Sequence, residues 1–172
     1  MFIDLWGLMP TNTEAALISQ HVYYATSDDF RKDLGNEFGG WVLIDIFTNT
    51  AGSLKIGVYS RTVGGVTEYV LANRGTQNNI NILVQSWMNN IGQMTGGSPD
   101  IFESMGFAMG FVLKHLGAEV TMVGHSKGGG ETICNALATN TNCITFNTMN
   151  PVGMGMFFLQ SHLRLILHLA KA

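Results

Sequence analysis

Alternating hydrophobic and polar positions between residues 41 and 72 predict three strands. Residues 41–47 form an apolar, β-favouring run, and residues 54–59 alternate in the period-two pattern of a strand with one buried face. Gly64-Gly65 then supplies a hairpin turn, and residues 68–72 return as a third strand. We expect the three strands to form an antiparallel meander that leads into a larger sheet.

Three further stretches carry helical patterns. Thr11-Asn12-Thr13-Glu14 has the spacing of a capping box and predicts a helix that runs to about Tyr24. Apolar residues recur at helical spacing over 79–92, which predicts an amphipathic helix. Ser98-Pro99 is a cap followed by a first-turn proline, and it opens a helix predicted over 99–116. That helix is apolar nearly all round, so we expect it to be buried on more than one side.

The second half of the chain predicts a β-α-β unit. Strand 119–123, helix 128–139 and strand 143–147 imply two parallel strands joined by a right-handed crossover. Residues 154–172 are apolar and compatible with another helix. The chain has 172 residues, the size of one domain, and it contains no linker or internal repeat. The prediction is a single α/β domain over residues 1–172, with a mixed sheet flanked by helices, in which N-terminal antiparallel strands lead to a parallel core.

The connection inside this β-α-β unit reads Gly124-His125-Ser126-Lys127-Gly128, a Gly-x-Ser-x-Gly pattern. In serine hydrolases this pattern forms a sharp strand-to-helix turn, which holds the serine in a strained conformation with its Oγ exposed. Side chains two residues before and two residues after the serine would collide, which explains Gly124 and Gly128. Ser126 is therefore the candidate nucleophile. The alternative is an ordinary glycine-rich turn between a strand and a helix.

Composition favours an apolar partner or substrate. Hydrophobic residues make up 46% of the chain and charged residues 12%, whereas about 25% charged is usual in soluble proteins. This shortage of charge indicates an apolar interface, a lipid-like substrate or a missing part of the fold. The formal net charge of −3 and the lack of a basic stripe argue against nucleic acid as a partner. No zinc-type Cys/His spacing is present, and the sequence implies no metal and no cofactor.

The N-terminal residues argue against a secretory signal peptide on this chain. Residues 1–6 lack a basic region and contain Asp4 within their apolar stretch, so we expect no signal peptide on this chain and favour the cytoplasm. No uninterrupted apolar run reaches the roughly 18–20 residues that cross a bilayer. We therefore expect no transmembrane segment.

Three stretches resemble, in this order, the class 3 lipase family of α/β-hydrolases. Residues 69–76, Tyr-Val-Leu-Ala-Asn-Arg-Gly-Thr, are similar to the strand of that family that ends in Arg-Gly-Ser/Thr. Residues 123–129 resemble its Gly-His-Ser-x-Gly-Gly elbow. Residues 143–147, followed by Asn150-Pro151, resemble the strand and turn that come next. The resemblance covers roughly residues 41–152 and implies an α/β-hydrolase fold with activity on lipid esters.

The resemblance also implies roles for individual residues. Ser126 would be the nucleophile, and the backbone N–H groups of Thr76 and Lys127 would form an oxyanion hole for the charge that develops on the ester carbonyl. For Thr76 the alternative is an ordinary turn residue. We expect His125 to be a packing residue and not the base, and the ammonium group of Lys127 to point to solvent. The segment 77–97 would be either a lid over the acyl groove or a core helix.

A catalytic acid and base are not evident in the family's positions. The acid and then the histidine follow the nucleophile in this fold, but no Asp or Glu occurs after Glu131. His162 and His168 are the possible bases, although both also fit a structural role. Three explanations stay open: a chain that lacks the family's last strands, an acid and base supplied by a second copy in a homo-oligomer, or a tail histidine acting as a lone base.

Two functions are compatible with these observations. The first is a serine hydrolase of lipase or esterase type, which cleaves carboxylic esters through an acyl-enzyme on Ser126. The apolar composition favours a lipid or fatty acyl ester as its substrate. The second is a catalytically incomplete hydrolase-like fragment that serves as a lipid-binding or assembly module.

Overall fold

A five-stranded sheet is the central element of the computed structural model, which describes residues 9–76 and 99–148. Its strands lie side by side in chain order: β1 (Val42–Thr48), β2 (Lys55–Val63), β3 (Val66–Asn73), β4 (Glu119–His125) and β5 (Asn142–Phe146). Strands β1, β2 and β3 pair antiparallel, whereas β4 pairs parallel with both β3 and β5. The predicted mixed α/β architecture, with antiparallel strands leading to a parallel core, is confirmed.

The turn between β2 and β3 has the predicted chemistry. Gly64 and Gly65 both adopt positive φ, at 57° and 82°. A two-residue hairpin of type I′ requires positive φ at both central positions, and glycine adopts it without a steric penalty.

Within the described residues, three α-helices flank the sheet: α1 (Asn12–His21), α2 (Pro99–Lys114) and α3 (Lys127–Thr139). The capping box of α1 is formed as predicted, since Thr11 Oγ1 accepts the Glu14 N–H at 3.2 Å and the Glu14 carboxylate accepts the Thr11 N–H at 2.9 Å. The helix ends at His21, before the predicted Tyr24, and a turn carries the chain onward.

The helices divide between the two faces of the sheet. On one face, Ile18 and Val22 at the end of α1 belong to a buried cluster with Leu43, Tyr59 and Val123. On the other face, α2 and α3 contribute buried alanines to a second cluster, made of Ala108, Ala136, Ile56, Val58, Leu71 and Met122. The sheet is therefore sandwiched between two helical layers.

The predicted burial of β2 is wrong. Alternation in β2 predicts one buried face, but Gly57 and Tyr59 on its second face are buried as well. The reason is that α1 packs on that face, so closely that a Cβ on Gly57 would lie 3.1 Å from the side chain of Val22. A strand's own pattern does not encode which helix covers it.

The predicted burial of α2 is confirmed where the helix packs on α3 and on the sheet, but it is wrong for the rest of its apolar surface. Its fully buried positions lie along one side, at Ile101, Ser104 and Ala108, and this side faces α3. Phe102 and Leu113 are 55% and 66% exposed. Among the described residues, no other element covers the side of the helix that carries Phe102 and Leu113.

The parallel strands end at the same edge of the sheet, and the candidate site lies there. Asn73, the last residue of β3, pairs with Gly124 of β4, and His125 pairs with Phe146 of β5. Residues 74–76 follow β3 and Ser126 follows β4. These two segments are therefore neighbours. The predicted helices over 79–92 and 154–172 lie outside the described residues.

Candidate active site

Ser126 occupies a sharp turn between β4 and α3, with φ 54° and ψ −124°. This backbone region costs a non-glycine residue on the order of 1–3 kcal/mol and persists only where the surroundings hold it. Two backbone hydrogen bonds do so here. The Ser126 N–H donates to the Phe146 carbonyl at 3.1 Å, and the Gly129 N–H donates to the Ser126 carbonyl at 3.0 Å. The strand–turn–helix setting that the Gly-x-Ser-x-Gly pattern requires is present.

We use the name elbow turn for residues 124–128. Its two glycines are sterically required. A Cβ on Gly124 would lie 2.4 Å from both the Gly128 carbonyl oxygen and Thr132 Oγ1. A Cβ on Gly128 would lie 2.3 Å from the Asn73 carbonyl oxygen. The first contact is the collision expected from the sequence pattern. The second brings the start of α3 against the end of β3.

The Gly128→Ala substitution should destabilise the fold by roughly 1–3 kcal/mol or more, because the new methyl group meets backbone atoms that cannot move aside cheaply. Urea denaturation monitored by circular dichroism measures the effect. Gly106→Ala is the matched control, since Gly106 lies in the middle of α2 and a Cβ there would have nothing within 4 Å. At this position alanine should stabilise by about 0.5–1 kcal/mol. Equal midpoints for Gly128→Ala and wild type would contradict the close approach.

Thr76 lies at the edge where β3 ends, and it lines a cavity beside the elbow turn. The cavity has a volume of about 380 Å³, and the described residues that line it are Ser19, Gln20, Tyr23, Tyr24, Thr76 and His125. The preceding Gly75 passes so close to β4 that a Cβ there would lie 2.8 Å from the His125 carbonyl oxygen. The segment that carries Thr76 therefore runs alongside the residue that precedes Ser126.

The prediction for the Lys127 side chain is wrong. Its ammonium group is fully buried instead of reaching solvent. Lys127 Nζ lies 2.6 Å from Asp100 Oδ2 and 2.9 Å from Glu131 Oε1, and it donates to the Ser53 carbonyl at 3.2 Å. The elbow turn directs this side chain beneath the start of α3, where the first turn of α2 supplies Asp100. A lysine one residue after the candidate nucleophile is thus part of the core.

Lys127, Asp100 and Glu131 form what we call the buried charge cluster. Polar side chains complete it. Asp100 accepts hydrogen bonds from Asn49 at 3.0 Å and Ser53 at 2.8 Å, and Glu131 accepts one from Asn73 at 3.0 Å. Asn73 also donates to Ser104 at 2.7 Å, as Asn135 does at 2.8 Å. These bonds tie β3, α2 and α3 together directly under the elbow turn.

Burial and neighbouring charges shift the pKa values of Glu131 and Lys127. Burial raises the pKa of Glu131, in opposition to the Lys127 ammonium and the Asn73 amide, which favour the carboxylate. Burial lowers the pKa of Lys127, but the attraction of Glu131 and Asp100 outweighs it, and the pKa stands above its ordinary value. Lys127 is therefore protonated at neutral pH. It cannot act as a general base for Ser126.

Arg74, from the Arg-Gly-Thr stretch, adds a second cation near the cluster. Its side chain is 5% exposed and donates to the Gly52 carbonyl at 2.9 Å. Burial lowers its pKa, and the negative charges of Glu131 and Asp100 act in the opposite direction. Two cations therefore face two carboxylates beneath the site. The only sequence signal was the i, i+4 spacing of Lys127 and Glu131 on a helix.

His125 packs beside the elbow turn, as expected. Its ring lies 6.4 Å from the ring of Tyr23, and its Nδ1 is 3.2 Å from the Tyr23 hydroxyl. Sequence reasoning did not single out Tyr23, which comes from the turn after α1. The possible bases His162 and His168, and the segment 77–97, lie outside the described residues.

The described part of the chain offers neither a metal centre nor a membrane-spanning helix. Over residues 9–76 and 99–148, no group of three or more His, Cys, Asp or Glu side chains is arranged to hold a metal ion. In the same ranges, none of the helices combines the length and the hydropathy that a bilayer crossing needs.

A mixed α/β sheet with a Gly-x-Ser-x-Gly turn at the carboxyl end of a parallel strand is typical of α/β-hydrolases. The model of the Tle-like phospholipase domain matches residues 14–150, and the chain belongs to this family. The matched range contains all five strands of the described sheet and the elbow turn. No curated protein and no solved structure matches the chain. Membership indicates a lipid-ester hydrolase at the level of a phospholipase-like family, without singling out class 3 lipases.

Proposed function

We propose that the protein is a serine hydrolase of lipase or esterase type, which cleaves carboxylic esters of lipids through an acyl-enzyme on Ser126. The observation that carries the proposal is the backbone conformation of Ser126, φ 54° and ψ −124°, between β4 and α3. Strain of this kind concentrates at functional sites. Glycine would adopt this conformation without strain, so a serine at this turn favours a functional role.

The proposed reaction has two halves. Ser126 Oγ attacks the carbonyl carbon of the ester while a histidine takes its proton, and the alcohol then leaves with that proton. Water attacks the acyl-serine in the second half, which releases the fatty acid and restores the hydroxyl. Each attack places negative charge on the carbonyl oxygen, so each needs fixed hydrogen-bond donors nearby.

The backbone N–H groups of Thr76 and Lys127 are the proposed donors. Lys127 is the first residue of α3, and the N–H groups of a first helical turn have no acceptor within their own helix. They also lie at the positive end of the helix dipole, which favours an anion. Thr76 approaches from the end of β3, on the segment that runs alongside His125.

His162 and His168 are the proposed candidates for the base, because they are the histidines that follow Ser126 in the chain. One of these histidines acts as a lone base in the first arrangement we consider, and a second copy of the chain supplies both acid and base in the other. A lipid or fatty acyl ester is the proposed substrate. Its support is the phospholipase-like family together with the apolar composition of the chain.

Covalent labelling with a fluorophosphonate probe tests the proposal. We expect one adduct per chain by intact mass, located by peptide mass spectrometry on the peptide that contains Ser126. Ser27→Ala is the matched control because Ser27 is an exposed serine far along the chain from the elbow turn, and this variant should label at the wild-type rate. A folded protein that stays unlabelled would overturn the proposal and favour a non-catalytic lipid-binding or assembly module, the function consistent with the lack of Asp and Glu after Glu131.

A further inference from the structure

The Tyr23 hydroxyl sits between the ends of two strands. Tyr23 follows the last turn of α1, and its side chain is half-buried at the edge of the sheet. The hydroxyl lies against the backbone of Gly75 after β3, so close that a side chain at position 75 would collide with it, and it lies 3.2 Å from His125 Nδ1 at the end of β4. One oxygen atom thereby contacts both segments from which the proposed site is built.

The hydrogen-bond capacity of a phenol accounts for both contacts. A tyrosine hydroxyl has one proton to donate and lone pairs to accept. The hydroxyl therefore forms a hydrogen bond with His125 Nδ1, as donor or as acceptor according to the imidazole tautomer, and it keeps a lone pair that can accept from a backbone N–H at the end of β3. Burial raises the pKa of Tyr23, so the hydroxyl keeps its proton throughout the neutral range.

The glycine of Arg-Gly-Thr is explained by the same contact. A Cβ on Gly75 would lie 2.2 Å from Tyr23 Oη. Any side chain at position 75 would therefore push the hydroxyl off the backbone. The absence of a Cβ lets the phenol approach the strand end closely enough to hold it.

We propose that Tyr23 is a positioning residue, whose hydroxyl sets the location of the Thr76 N–H relative to Ser126. Thr76 follows Gly75 directly, and Ser126 follows His125 directly. Fixing Gly75 against His125 therefore fixes the proposed oxyanion donor against the proposed nucleophile. Displacement of a catalytic group by about 1 Å can cost roughly 100-fold in rate. The inference rests on the proposed function, because it assigns Tyr23 a role in that reaction.

The test compares Tyr23→Phe with Tyr69→Phe, two variants that each lose one phenolic oxygen. Tyr69 packs against Phe111 and His115 on the opposite face of the sheet. With p-nitrophenyl butyrate as substrate, Tyr23→Phe should lower kcat roughly 10- to 100-fold and change KM less than about twofold, since the transition state needs the donor more than the bound ester does. The loss should be the same from about pH 6 to 8, where the phenol stays protonated. Tyr69→Phe should keep its kcat within about twofold of wild type.

A second measurement separates positioning from packing. In ¹H–¹⁵N spectra, Tyr23→Phe should shift the Gly75 and Thr76 amides and speed hydrogen exchange at Gly75, while its urea midpoint stays near that of Tyr69→Phe. A wild-type kcat for Tyr23→Phe, or unmoved amides at 75 and 76, would overturn the inference. If the wild-type protein neither hydrolyses the ester nor labels with fluorophosphonate, the proposed function fails instead, and the amide shifts alone decide whether Tyr23 holds this segment.

Discussion

Ser126→Ala should lower kcat for ester hydrolysis by on the order of 10⁴ to 10⁶, the range seen when a member of a catalytic serine site is removed. The proposed reaction has no acyl-enzyme without this oxygen, and the protonated Lys127 beside it cannot replace the nucleophile. Initial rates with p-nitrophenyl esters of short and long chains measure the loss. The exposed Ser27→Ala serves again as the control with unchanged rates.

The stability of Ser126 variants checks that the loss is chemical. Alanine keeps the Cβ and therefore the strain at φ 54°, so Ser126→Ala should unfold at the wild-type urea concentration. Ser126→Gly should be equally inactive but at least as stable as wild type, because glycine adopts this conformation freely. Substantial hydrolysis by either folded variant would show that the nucleophile lies elsewhere.

Lys127→Met should destabilise the protein by about 3–5 kcal/mol at neutral pH, the usual cost of removing one partner from a buried ion pair. Methionine fills a similar volume, so the expected loss comes from the charge. Asp100 and Glu131 would be left in the core without the ammonium group that now lies 2.6 and 2.9 Å away. Urea denaturation at neutral pH measures the difference. Lys32→Met is the control, because Lys32 is exposed and its loss should stay within about 0.5 kcal/mol.

The destabilisation of Lys127→Met should depend on pH with a defined sign. Burial already raises the pKa of Glu131, and loss of the attraction from Lys127 would raise it further. A folded-state pKa above the unfolded value means that the folded protein binds more protons, so stability falls as pH rises from the unfolded pKa through the folded one. The loss of unfolding free energy in Lys127→Met, relative to wild type, should therefore be smallest near about pH 4–5 and grow towards neutral pH. A loss of stability that is small at neutral pH, or independent of pH, would show that the Lys127 ammonium does not stabilise these carboxylates.

The local elements could be predicted because their signals lie within a few residues. The capping box at Thr11 and Glu14 closes over one helical turn, and the hairpin at Gly64-Gly65 depends on two adjacent positive φ angles. The elbow turn is equally local. Its Gly124 and Gly128 relieve a collision within one strand-to-helix connection.

Contacts between distant segments could not be predicted in the same way. Tyr23 and His125 are 102 positions apart, and Asp100 is 27 positions from Lys127. A lysine side chain next to a turn serine is expected to be solvated. Its burial becomes favourable only when a carboxylate from another helix lies beside it. No periodic pattern in the sequence predicts the contact between Lys127 and Asp100.

The sequence by itself determined the order of strands and helices, the strained position of Ser126 and the glycines that permit it, because hydrophobic period and local sterics act between near neighbours. The tertiary structure alone decided that β2 is covered on both faces, that α2 keeps an exposed apolar side within the described residues, and that Lys127 belongs to the core. These outcomes depend on which surfaces meet when the sheet and helices pack. Burial and the partners of a charge are properties of that packing, since they arise from groups that the chain brings together only when it is folded.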